Sequence, residues 1–202
     1  MTYRDNQENI KWTVDAAHSS ILFKVSHLMI SNVKGAFKLF DASIYTTGKD
    51  FATAQVDLWI DTASIDTGDE KRDEHLRSAD FFDAAQFKQI TFLSKTIEKP
   101  DKHGNHELWG ELTMKGITKV IQLNVFFGGI ANDPWGSERA GFTVTGKINR
   151  NDWGLTWNKV IETGGIMVGE EVTITCEMEL INAGAGEAVT VLEKAAAGET
   201  IL

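Results

Sequence analysis

Apolar and polar residues alternate along most of this chain. Across residues 172–180, Val172, Ile174, Cys176, Met178 and Leu180 are separated by Thr173, Thr175, Glu177 and Glu179. A period of two places the first set on one face of a sheet and the second on the other. The alternation returns at Ile21, Phe23 and Val25 against Lys24 and Ser26, and at Val56, Leu58 and Ile60 against Gln55 and Asp57. It returns again at Leu108, Gly110, Leu112 and Met114, at Ile121, Leu123, Val125 and Phe127, and at Phe142, Val144 and Ile148. Strands are therefore expected over residues 10–15, 19–28, 33–46, 52–61, 89–98, 106–115, 118–131, 139–149 and 170–182, with no fixed-period repeat among them.

Short links at residues 102–105 (KHGN) and 115–117 (KGI) imply hairpins and hence antiparallel neighbours. About eight such strands can close into a barrel, which removes exposed edges. The expected fold is all-β, a closed antiparallel β-barrel. One segment breaks the pattern: residues 66–79 read DTGDEKRDEHLRSA. They are good helix formers, Asp66 or Thr67 can cap them, and Asp73 with Arg77 is a favourable i,i+4 pair. The apolar stripe is thin, mainly Leu76 and Ala79, so the helix is expected on the surface or across a barrel mouth.

A small barrel is either filled by its own side chains or holds one small ligand. Its inward candidates mix large residues (Phe23, Phe37, Phe92, Phe127, Phe142) with Gly35, Gly110 and Gly146. Small beside large is compatible with a lengthwise channel and equally with complementary packing that leaves no void. In the channel reading, Val25, Val125, Val144 and Ile174 face the lumen and Gly110 leaves room beside them. His27, on the same face as Phe23 and Val25, is a buried structural histidine or a polar contact at one end.

Composition narrows the function. The chain has 202 residues, enough for one domain, with 42% hydrophobic residues for a core and a formal charge of -9. That charge argues against nucleic acid, which requires a basic surface, and for the same reason anionic membrane surfaces are expected to be repelled. No apolar run reaches membrane-spanning length, so no stable membrane insertion is expected. The single cysteine, Cys176, excludes an intrachain disulfide, and its apolar strand neighbours favour an inert core thiol. His103 and His106 are too few for a metal site, and the acidic run at 66–74 lacks calcium-loop spacing. No nucleophile elbow, P-loop or zinc-protease motif occurs. No catalytic residue, metal or cofactor is expected, and the chain is read as a non-enzyme.

Several segments in order resemble the YceI-like, lipid-binding family: WTVDAAHSSILFKVSHL (12–28), SIDTGDEKRDEHLRSADFFDAAQF (64–87), GELTMKGITKVIQLNV (110–125), INRNDWGLTWN (148–158) and VGEEVTITCEMEL (168–180). The resemblance implies a lipocalin-like barrel with an apolar tunnel that holds polyisoprenoid or similar alkyl chains. Residue by residue, it carries over to His27, to Arg72, Asp73, His75, Leu76 and Arg77, to the aromatic pair Phe81 and Phe82, and to Arg150, Asp152 and Trp153.

The tunnel lining expected from alternation and resemblance together starts with Phe23, Val25, His27, Phe37, Val56 and Leu58. It continues through Phe92, Leu112, Leu123, Val125, Phe127, Phe142 and Val144 to Trp153, Ile174, Cys176 and Met178. Arg72, Asp73, His75, Arg77, Phe81 and Phe82 are expected to gate or brace one mouth. The expected domain plan is an extension at 1–9, the barrel at 10–182, and an Ala/Gly/Glu-rich tail at 183–202, compatible with a loose helix or disorder.

The expected function is to carry, store or sequester a polyisoprenoid, fatty acid or similar lipid. Two rivals stand beside it: an enzyme acting on a bound lipid or quinone, and a stress-response scaffold without ligand. Outward Trp59 and Trp109 suggest a homodimer. Residues 1–9 lack an apolar signal core, so the chain as written reads as cytoplasmic, or as periplasmic if a signal has been removed.

Overall fold

The computed structural model describes residues 8–159 and 167–185. Most of them lie in one antiparallel sheet. In chain order the strands are β1 (Asn9–Val14), β2 (Ser20–His27), β3 (Ser31–Phe37), β4 (Phe40–Thr47), β5 (Asp50–Asp61), the two-residue β6 (Ile65–Asp66), β7 (Gln89–Ile97), β8 (Asn105–Met114), β9 (Ile117–Asn132), β10 (Glu138–Asn149) and β11 (Val168–Ala185). One helix, α1 (Glu70–Arg77), and two 3₁₀ turns, Thr62–Ser64 and Arg150–Trp153, complete the described elements.

Eight strands close the barrel in the order β1-β4-β5-β7-β8-β9-β10-β11, sealed by pairing between β1 and β11. Strand β11 is long enough to serve two partners on one edge. Its residues 180–185 pair with β1, and residues 168–177 pair with β2, which brings the β2–β3 hairpin into the wall. Strand directions divide the hairpins between two ends. At one end lie α1, both 3₁₀ turns, the β2–β3 tip and the β8–β9 link; at the other lie the β4–β5, β7–β8 and β9–β10 links. We call these the helix end and the hairpin end.

The hairpin end is packed with aromatic rings. Phe51 lies 5.0 Å from Trp12, 5.2 Å from Phe127 and 4.8 Å from Phe142 between ring centroids. Trp12 is fully buried and donates Nε1–H to Thr46 Oγ1 at 3.0 Å, so its one polar atom is satisfied.

Several expectations change in three dimensions. Residues 33–46 are two strands, because the chain turns at Lys38 and Leu39 and β4 leaves β3 to join β1 and β5. The helix is shorter than 66–79, and its cap is Asp69, whose carboxylate accepts from Arg72 N at 3.0 Å. Asp66 instead accepts from Gly68 N. Asp73 does not pair with Arg77. It is buried and accepts from Thr67 N (3.0 Å) and Thr67 Oγ1 (2.5 Å), while Arg77 pairs with Glu70. β1 begins at Asn9, inside the expected extension, and β11 runs three residues past the expected barrel boundary at 182. The rest of the extension (1–7) and of the tail (186–202) lies outside the described residues.

Candidate functional site

The barrel encloses a cavity of about 280 Å³, close to the lower end of ligand pockets, which run from about 300 Å³. Its wall follows from the alternation. Phe23 and Val25 of β2, Val56 and Leu58 of β5, and Phe92 of β7 turn inward. Leu112 of β8, Leu123 and Val125 of β9, Phe142 and Val144 of β10, and Ile174, Cys176 and Met178 of β11 complete the ring, with Phe37 of β3 at one side. Ile21, Ile60 and Ile90 join them on the same strand parity.

Two polar side chains border this space. His106 shares the inward parity of Leu108 and lies near the hairpin end. Its Nδ1 lies 2.9 Å from the Glu98 carbonyl, so that nitrogen carries the proton. Arg150 lies at the helix end. Its guanidinium is buried, and it donates to Gly169 O (2.8 Å), Leu155 O, Trp157 O (3.0 Å) and Val168 O (3.3 Å). Burial holds its pKa below the usual arginine value, and four carbonyl dipoles stabilise the charge. The remaining heteroatoms of the lining are sulfurs, from Cys176, Met114 and Met178. Burial pushes the Cys176 thiol up to about 12, with Glu177 adding to the shift, so the thiol stays protonated and weakly nucleophilic at neutral pH.

Three residues expected on the wall lie elsewhere. Phe127 keeps the inward parity and pairs with Phe142, but it belongs to the aromatic packing of the hairpin end, 5.1 Å from Phe142 and 5.2 Å from Phe51. Trp153 is buried in the core and donates Nε1–H to Leu112 O at 3.0 Å. His27 sits next to the hairpin turn, opposite Ser31 and Val168, and does not line the cavity although Val168 does.

The glycines also act differently from the channel expectation. A Cβ on Gly110 would fall 2.5 Å from Phe92 Cε2, and one on Gly35 would fall 2.7 Å from Phe23 Cε1. Gly146 is covered by Leu123 in the same way. Each glycine is a socket for a neighbouring side chain, and the open volume lies beyond those side chains.

At the helix end, Leu76, Phe81 and Phe82 reach the cavity. Phe81 is buried, and Phe82 packs edge-on against Phe37 at 5.9 Å. The polar residues of this segment hold it in place. Arg72 donates to Thr67 Oγ1 (2.7 Å) and Thr67 O (2.8 Å), and Arg77 donates to Ala63 O (2.9 Å) and Ile65 O (3.0 Å). His75 Nε2 lies 3.0 Å from Asp80, and its ring stands edge-on to Phe81 and Trp157. Alternation could have found His106. Arg150, Leu155, Val168 and Leu76 come from strand starts, turns and the helix, where no period of two exists to reveal them.

Outside the cavity, Asp15, His18 and Glu179 bring ligand-type atoms together. Arg139 already occupies the centre of that group, donating Nη1–H to Asp15 (2.5 Å) and Glu179 (2.6 Å) and Nε–H to Asp133 (2.9 Å). A cation there would have to displace a guanidinium.

Residues 12–180 match the YceI-like domain. A UPF0312 protein of Staphylococcus aureus strain MSSA476 is 40% identical over 169 residues, covering 83% of this chain and 95% of that protein. The solved BcnA of Burkholderia cenocepacia shares 26% identity with a TM-score of 0.69, over 82% of this chain and 98% of its own. The Campylobacter jejuni YCEI protein shares 35% identity with a TM-score of 0.64, over 81% and 91%. A polyisoprenoid binding domain from Saccharophagus degradans has a TM-score of 0.62 at 17% identity, over 85% and 98%, a likeness of fold alone.

Proposed function

We propose that this chain, which belongs to the YceI-like family, holds a long apolar chain inside its barrel, for carriage, storage or sequestration. The observation that carries the reading is the wall itself. Among the described residues that line it, only His106 and Arg150 bring hydrogen-bonding side-chain nitrogen, and they stand near opposite ends. A cavity so poor in polar groups cannot hold ordered water, which needs two to four polar partners. Filling it with methylene groups gains about 25 cal/mol per Å² of apolar surface removed from water. The ligand class is a polyisoprenoid or a similar alkyl-chain lipid; the Saccharophagus degradans domain of the same fold is a polyisoprenoid binding domain.

We take the protein as a binder and not as an enzyme. The two polar side chains are too far apart along the barrel to act on one bond, and the thiol is protonated. Native mass spectrometry of the purified protein, with lipid extraction, tests the reading. Expected is a co-purifying or titratable prenyl or alkyl lipid; no bound molecule and no uptake of prenyl lipids would refute it. We further propose a homodimer through the outer face bearing Trp59 and the exposed Trp109, which light scattering over a range of concentrations tests.

A further inference from the structure

The β2–β3 hairpin carries two features that nothing among the described residues answers. At its tip Leu28 and Met29 both hold positive φ, 52° and 61°, and Ile30 N donates to His27 O at 3.2 Å. Two successive positive φ values suit Asn-Gly in a tight hairpin turn; here they are held by Leu and Met, followed by Ile. Met29 is 74% and Ile30 85% exposed. Met29 thus stands in water on a backbone conformation that disfavours it, with the exposed Ile30 beside it, a combination found at functional segments.

Behind the tip, Lys24 and Lys34 face each other across the hairpin. Like charges directly opposite in a sheet destabilise it. The lysines that form ion pairs among the described residues are Lys38, Lys49, Lys95 and Lys147; these two do not. The other face of the same hairpin is the cavity wall, through Phe23 and Val25, and Val168 beside His27 also lines the cavity. Trp135, also 85% exposed, lies at the opposite, hairpin end, in the β9–β10 turn between the acidic Asp133 and Glu138.

We propose that the β2–β3 tip is a docking element for a lipid bilayer, from which the cavity takes up or to which it delivers its apolar chain. The proposal rests on the lipid-binding reading of the cavity. A long apolar chain is scarcely soluble in water, so its donor or acceptor is an apolar phase. Met29 and Ile30 enter the interface, and Lys24 and Lys34 meet lipid phosphates. The charge of -9 opposes approach to an anionic bilayer at long range. Screening limits that field to about 8 Å at physiological ionic strength, so at contact the local lysine pair governs. The contact is peripheral and reversible, as two apolar side chains allow.

The test compares wild type, L28N/M29G/I30S and K24Q/K34Q. The first variant gives the turn its preferred residues, so its Tm should rise or hold while its surface loses the apolar tip. Flotation uses vesicles of phosphatidylcholine alone and of phosphatidylcholine with phosphatidylglycerol. Uptake of a pyrene-labelled alkyl chain is measured separately, from vesicles and from a vesicle-free dispersion. Expected are flotation of wild type, a loss of roughly tenfold or more in L28N/M29G/I30S, and a loss confined to phosphatidylglycerol vesicles in K24Q/K34Q. Equilibrium uptake from the dispersion should stay intact in both, with slower transfer from vesicles. A wild type that takes up the chain yet floats with neither vesicle overturns the docking role. So does a tip variant that floats and transfers like wild type, or one whose only change is oligomeric state, which would make the tip a contact between copies. Absence of uptake from the dispersion strikes the cavity reading instead, and flotation still judges the docking.

Discussion

The ring of Phe92 occupies the place that a side chain on residue 110 would take. Gly110 on β8 and Phe92 on β7 are neighbours across one strand pair, and a Cβ on Gly110 would lie 2.5 Å from Phe92 Cε2 and 2.6 Å from the Leu93 carbonyl oxygen. Gly110→Ala therefore overpacks the wall, at an expected cost of about 1–3 kcal/mol. Phe92→Leu makes room, so Gly110→Ala should cost less in that background. Urea denaturation of the four proteins in the double-mutant cycle checks this; a Gly110→Ala that is neutral in the wild-type background would contradict the packing.

Val144 and Ile174 face the open volume across adjacent strands. A bulky substitution there has space that Gly110 lacks. Val144→Trp is expected to leave the thermal midpoint near wild type while reducing uptake of a fluorescent prenyl or alkyl probe by about tenfold, a loss of about 1.4 kcal/mol. Strong destabilisation together with unchanged uptake would show that the cavity does not accept the ring.

Cys176 offers an internal reporter. Its thiol is pushed up to about 12 by burial, so reaction with iodoacetamide at neutral pH should be far slower than in the urea-unfolded chain. Bound alkyl chain should slow a small apolar maleimide further, because Cys176 lies on the cavity wall. Mass spectrometry of the modified fraction over time reads both effects, and labelling indifferent to ligand would place the chain elsewhere.

Phe81 holds the helix segment against the cavity. It is buried and contacts both His75 and Trp157. Phe81→Ala should cost about 3–5 kcal/mol, and Phe82→Ala less, since Phe82 is only partly buried. Hydrogen exchange should show protection lost across residues 66–82 in the double variant; unchanged protection there would contradict the bracing role.

The Arg139 cluster sets a pH dependence. Hydrogen bonds from His18 and then Arg139 lower the Asp15 pKa from 3.8 to about 2, and Asp15 in turn raises His18 above 6.5. A lowered carboxylate stabilises above its unfolded value and loses that contribution as pH falls through its folded value. A raised histidine stabilises below its unfolded value and loses that contribution as pH rises through its folded value. Both contributions are therefore present between pH 3.8 and 6.5. Replacing Arg139 with Met should lower Tm and move the acid-unfolding midpoint upward, because Asp15 loses a partner that favours its charged form. Circular dichroism melts from pH 2 to 8 provide the measurement.

The sequence by itself determined the class of fold and most of the wall. A period of two is a local property, and it sorts Phe23 from Lys24 and Ile174 from Thr175 before any strand finds its partner. It also made the hairpins legible at Lys115-Gly116, where both residues take positive φ. What it could not contain is how separate stretches meet. The break of residues 33–46 into β3 and β4 depends on which partners each half finds. Phe127 lies off the cavity because Phe51, from another strand, packs against it at the hairpin end, a contact that leaves no mark on the alternation of β9. Gly110 read as empty space because the ring that fills it belongs to another strand, β7. Arg150 and Leu155 reached the cavity from a turn, through hydrogen bonds to carbonyls that carry no side-chain signature. Alternation assigns a residue to a face; only the closed barrel decides what stands on the other side of it.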